Sequence, residues 1–169
     1  MKALRLVLTI AVALVLQTTL ARFLVRGSGG VDLALVAVTY LGLTLGPTAG
    51  IFSGTIAGLA QDSLGGGIVG VGGLAKTVVG FLAGIVGSTF IVSQTLPRFV
   101  VFFGATLLQV GITTGLYFLL DPQPPIVGRY AVLAESLANA LLGVVLFQVS
   151  EGIPGILDRR RGVSRGRVR

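Results

Sequence analysis

The chain has 169 residues, 53% of them apolar and only 11% charged, with 26 glycines, no Cys, no His, no Trp and a mean hydropathy of +0.96. A water-soluble domain carries about 25% charged residues, so this composition cannot cover a soluble surface and points to a lipid bilayer. The missing His and Cys remove thiolate nucleophiles, imidazole bases, Cys/His metal sites and disulfides together.

The net charge of +7 gathers at the chain ends. Lys2 and Arg5 open the chain, and Arg159, Arg160, Arg161, Arg165, Arg167 and Arg169 close it. This is not the groove or stripe that binds nucleic acid. It reads as a cluster beside a membrane, attracted to anionic lipid by about 1 kcal/mol for each basic residue near the surface.

A bilayer core needs roughly 20 apolar helical residues. The first charge-free run, Leu6 to Ala21, lies between Lys2 and Arg5 on one side and Arg22 and Arg26 on the other. Its basic start and Thr19-Leu20-Ala21 also resemble a cleavable leader, but Phe23, Leu24 and Val25 extend the apolar character beyond it. Leu33 to Gln61 then runs 29 residues without a charge, too long for one upright helix and too short for two full ones. Gly46-Pro47 sits at its middle, and Pro suits the first position of a new helix. The pattern predicts two short spans of about fourteen residues, or ~21 Å each, meeting at a hairpin.

Ser63 to Ala75 is rich in glycine and predicts a loop or partly re-entrant segment, followed by a fourth span over Leu74 to Val92. The fifth span is Phe99 to Leu120. Asp121-Pro122-Gln123-Pro124-Pro125 predicts an extended linker, and the sixth span runs from Arg129 to Ser150, ending near Gly152 and Pro154. The expectation is an all-α polytopic protein with six transmembrane helices over residues 1–155 and a basic cytoplasmic tail over 156–169. Two basic termini on the cytoplasmic side demand an even number of spans. Six spans place Lys2, Arg5, Arg98 and the tail arginines inside, against Arg22, Arg26, Arg129 and Lys76 outside.

Glycines recur every four residues through Gly42, Gly46, Gly50, Gly54 and Gly58, and the next step lands on Asp62. Gly50, Gly54 and Gly58 form one small-residue ridge, and Gly80, Gly84 and Ser88 another. Such ridges let helix backbones approach closely in lipid, either within the bundle or against a partner's helix. Asp32, Asp62, Lys76 and Glu135 lie in or beside the apolar spans, where a charge costs on the order of 3 kcal/mol unless paired or in a polar cavity. Asp62 and Lys76 are expected at one face as a pair, and Glu135, Asn139 and Gly143 share a helical stripe.

Three motif near-matches carry no chemistry. Gly70 to Thr77 resembles a phosphate-binding loop but has Ala75 where its second glycine belongs and lacks the strand-loop-helix setting. Gly50-Ile51-Phe52-Ser53-Gly54 has no histidine base to activate its serine. Asp62 lacks the Gly-x-Gly-Asp context of intramembrane aspartyl proteases. No enzyme and no cofactor is expected.

The ordered set of Leu16-Gln17-Thr18-Thr19-Leu20, Val31-Asp32-Leu33, Gly42 to Gly50 with its Gly-Pro turn, Gly54 to Asp62, Gly66, Gly70, Leu74, Gly80-Phe81-Leu82 and Glu135-Ser136-Leu137-Ala138-Asn139 resembles the MreD family of rod shape-determining membrane proteins. Val31 stands where that family typically has Pro, and the arginine tail is unusually long. The resemblance implies a multi-pass protein of the bacterial cytoplasmic membrane that binds MreC. It also implies membership of the elongation complex with RodA, a class B penicillin-binding transpeptidase and MreB. The family in turn resembles the six-helix S-components of ECF vitamin transporters. That likeness supplies an alternative, a substrate-binding transport subunit with Asp62, Glu135 and Asn139 around a polar pocket.

Overall fold

The computed structural model of the chain describes residues 30–65, 67–89, 94–121 and 128–165, with side chains through Glu151. The first span and the side chains of the tail arginines lie outside the described residues. Among the described residues five helices follow in order: α1 (Leu33–Leu45), α2 (Pro47–Gly65), α3 (Val71–Thr89), α4 (Thr95–Leu120) and α5 (Arg129–Arg165). Among the described residues α3, α4 and the Arg129–Glu151 part of α5 are long and apolar enough to cross a membrane, while α1 is a shorter apolar helix.

α1 is apolar on every side, and a helix of that kind belongs in an interior. From Ala34 to Leu43 all its residues except Tyr40 are buried. The other four helices surround it. Gly46 ends it with φ of +94°, a conformation that a Cβ would strain, and Pro47 starts α2 with its missing N–H where no helical partner is needed. Ala57 packs with Ala34, Val38 and Leu41, so the Gly46-Pro47 break is a hairpin.

Glycine contacts set the directions. Gly50, Gly54 and Gly58 meet Gly80, Lys76 and Gly73 in descending order, so α2 and α3 are antiparallel. Asp32, with Lys76 and Asn139, and Tyr40, with Phe147, place α1, α3 and α5 parallel. α4 returns against α5, with Arg98 beside Glu151, Phe102 against Gly143 and Thr106 beside Asn139.

Two expected boundaries change. Ser63 to Ala75 is not mainly a loop: α2 continues through Gly65 and α3 already begins at Val71. Glycine weakens an isolated helix by about 1 kcal/mol, but within a bilayer an unsatisfied backbone costs more, and glycine gains packing contact. α2 is therefore 19 residues, about 28 Å, and not the short span its charge-free limit suggested. The helical backbone of α5 also runs past Gly152 and Pro154 to Arg165, although its apolar portion stops at Glu151.

Candidate functional site: a buried polar knot

Asp32 caps α1, its Oδ1 accepting the Leu35 N–H at 3.0 Å. Its Oδ2 lies 2.8 Å from the Lys76 ammonium of α3 and accepts Gln109 Nε2 of α4 at 3.2 Å. The Asp32 N–H donates to Asn139 Oδ1 of α5 at 3.0 Å, and Asn139 Nδ2 donates to Thr106 Oγ1 of α4 at 3.2 Å. Four helices therefore meet at Asp32, three of them at its carboxylate and α5 at its backbone N–H. Asp32, Lys76, Asn139, Thr106 and Gln109 are all buried.

The expected Asp62–Lys76 pair does not form, because α3 runs beside the start of α1 and brings Lys76 to Asp32. Asp62 instead accepts the Gly70 and Gly73 N–H groups with Oδ2, at 2.8 and 3.1 Å. Those amides open α3 and have no partner within it, so the carboxylate caps the helix and complements its dipole. Lys76 lies inside α3, its ammonium held by Asp32, and not at the end of a phosphate-binding loop. Glu135 is half-buried on α5, within electrostatic range of Asp32 and Lys76. The structure thus gathers Asp32, Lys76 and Asn139, sets Glu135 beside them and leaves Asp62 on separate work.

Gly50, Gly54, Gly58, Gly80 and Gly84 all face other helices of this chain. A Cβ on Gly54 would fall among the backbone atoms of Lys76 and Thr77, and one on Gly50 would overlap the Gly80 carbonyl. Gly80 in turn meets the Gly50 carbonyl, and Gly84 meets Pro47. This ridge is closed to another protein. The large side chains of α2, Ile51, Phe52, Ile56 and Leu59, are exposed instead. That inside-out pattern suits a helix bathed in lipid, where apolar bulk has no reason to hide.

The sequence reading missed Gln109 and Thr106, although a Gln in the middle of an apolar span is itself a signal of a polar interior. It also missed a second tie at the far end of α4 and α5. Arg98 Nη1 donates to Glu151 Oε2 at 2.9 Å, Nη2 bonds Oε1, and the guanidinium lies 4.5 Å from the Phe147 ring centroid.

Among the described residues, an all-helical core locked by glycine contacts and one buried ion pair, with apolar side chains outward, defines a helical membrane protein. Over residues 1–150 the sequence matches the family described as rod shape-determining protein MreD. The chain belongs to that family, a family of shape-determining structural membrane proteins. No curated protein matches it, and no solved structure does.

Proposed function

We propose that the protein is a non-enzymatic scaffold of the bacterial elongation complex, seated in the cytoplasmic membrane by six spans, with Leu6 to Ala21 as the first. Both termini face the cytoplasm. It binds the single membrane helix of MreC and so helps to organise RodA, the class B transpeptidase and MreB around lateral peptidoglycan synthesis. Family membership supports this reading. So does the side-chain chemistry of the knot, in which Asp32 has both oxygens engaged and Lys76 is tied to it.

The observation that carries the docking role is an open face on α4. Gly104, Gly111 and Gly115 are exposed, and among the described residues a Cβ on any of them would meet nothing within 4 Å. They lie on one side of the helix, opposite Gln109 and Thr113. A single-span helix laid on this face would gain the close backbone approach that drives association in lipid. Gly111→Leu and Gly115→Leu are expected to abolish co-purification of MreC from detergent while the protein stays folded; retention of MreC by both variants refutes docking there. The arginine tail adds attraction to anionic lipid, so deleting residues 159–169 is expected to weaken binding to anionic vesicles.

A further inference from the structure

The four helices around α1 do not close a ring. α2 packs on α3, α3 on α4 and α4 on α5, but among the described residues α5 and α2 do not meet. One side of α1, between those two helices, therefore lacks a described neighbour.

The packing of α1 shows which side this is. Ala34, Val38 and Leu41 share a cluster with Ala57 of α2. Gly42 faces Gly80 and Gly84 of α3, and Leu35 clusters with Val79 of α3 and Ala105 of α4. Val36 and Leu43 cluster with Phe102 of α4 and with Ala140 and Phe147 of α5. At about 3.6 residues per turn, the side left over carries Leu33, Ala37, Tyr40 and Thr44, one above another. Leu33 and Tyr40 are half-buried and Thr44 is exposed, whereas every other residue from Ala34 to Leu43 is buried. Tyr40 meets Phe147 edge to face and so marks the border with α5. Ala37 is 4% exposed, yet it belongs to none of the apolar clusters among the described residues, so something beyond those clusters covers it.

The chain itself supplies an occupant. Residues 22–31 tie Leu6 to Ala21 to the start of α1 through only ten residues. Such a tether holds a helix near this side at an effective concentration on the order of millimolar, which the helix of a partner or of a second copy has to match. The six-span reading, on which this inference rests, runs the first span antiparallel to α1. Thr9, Ala13, Gln17 and Ala21 recur every four residues and give that span one small and polar side, the kind that lets backbones approach in lipid. With Arg5 level with Leu45 at the cytoplasmic end, equal rise along both helices sets Ala13 opposite Ala37 and Gln17 opposite Leu33, at the height of the Asp32 cap.

We propose that the first span of this chain packs on the side of α1 formed by Leu33, Ala37, Tyr40 and Thr44, between α2 and α5, and so closes the bundle. The open glycine face of α4 then stays free for a partner.

The full chain has no Cys, so introduced thiols report without background. Ala37→Cys is combined in turn with Thr9→Cys, Ala13→Cys and Gln17→Cys, and Gln17→Cys with Leu33→Cys tests the same side one turn away. Ala13→Cys with Gly111→Cys is the comparison on α4. Membranes are oxidised mildly, then denatured and treated with a polyethylene glycol maleimide, which a disulfide within the chain blocks. Disulfides form only where Cα atoms come within about 7 Å. The Ala13/Ala37 and Gln17/Leu33 pairs are expected to be protected several-fold more than the Ala13/Gly111 pair, and protection of any Ala37 pair supports docking on this side.

Protection of the Gly111 pair alone, or disulfide-linked dimers from Ala37→Cys by itself, overturns the proposal, the second by giving this side to another copy. Labelling of single Ala13→Cys in intact membranes by a charged maleimide overturns it too, and shows that the six-span reading has failed. A shielded Ala13→Cys thiol with no protection in any Ala37 or Leu33 pair overturns the docking and leaves that reading standing.

Discussion

Lys76 and Asp32 meet at 2.8 Å with side chains only 3% and 7% exposed, which joins the second turn of α3 to the cap of α1. Removing one member of such a pair leaves the other charge buried and alone, at a cost of about 3–5 kcal/mol, whereas replacing both with apolar groups costs far less. Asp32→Ala and Lys76→Ala are each expected to lower the melting temperature in detergent sharply, and the Asp32→Leu/Lys76→Met double variant to recover much of the loss. A double variant no more stable than either single one would show that the charges are not compensating each other.

Gly54 and Gly111 should respond oppositely to the same change. A methyl group on Gly54 meets the backbone of α3, which cannot step aside, so Gly54→Ala forces the helices apart and is expected to destabilise by about 1–3 kcal/mol. Gly111→Ala meets open space and raises helix propensity, so it should be neutral or stabilising by up to about 1 kcal/mol. Thermal melting of the two variants side by side decides this, and equal effects would mean that the glycine contacts do not hold the bundle.

Asp62 acts through the amides that open α3. Asp62→Ala is expected to cost about 1 kcal/mol, and Asp62→Asn less, since the amide oxygen still accepts. Hydrogen exchange localises the effect: the Gly70 and Gly73 amides should exchange faster in Asp62→Ala, with little change at the Arg98 end of the bundle. Uniform acceleration along the chain would contradict a capping role.

Arg98 fastens α4 to α5 in two ways, a two-armed contact with Glu151 and stacking on Phe147. Glu151 is 58% exposed, so solvent screens its share of the pair. Arg98→Ala should therefore lower the melting temperature more than Glu151→Gln does. Arg98→Lys should rescue only part, because a point charge lacks the planar fork and the flat face. Equal losses from Arg98→Ala and Glu151→Gln would leave stacking on Phe147 without a measurable share.

Much of the fold is legible in the residue string, and the reasons are local. The Gly46-Pro47 hairpin could be anticipated because a residue free to take positive φ precedes one with no N–H to donate. α3 starts at Val71, ahead of the expected Leu74, because the cost of glycine to a helix in water is outweighed in lipid by the packing it allows. Asp32 and Lys76 stood out individually as charges in apolar surroundings. Their pairing did not, and neither did the contribution of Gln109, which in sequence is one amide in a long apolar helix.

The amino-acid string alone determined that this chain lives in a membrane, that it breaks at Gly46-Pro47 and which side chains could not be left bare, because each follows from local backbone freedom or from the cost of charge in lipid. Tertiary structure alone decided that Lys76 belongs to Asp32, that the Gly50 to Gly58 ridge is spent inside the bundle and that Gly104, Gly111 and Gly115 stay open among the described residues. Those outcomes depend on which helices lie side by side and at what relative height, and spacing along a single chain does not encode the register between helices.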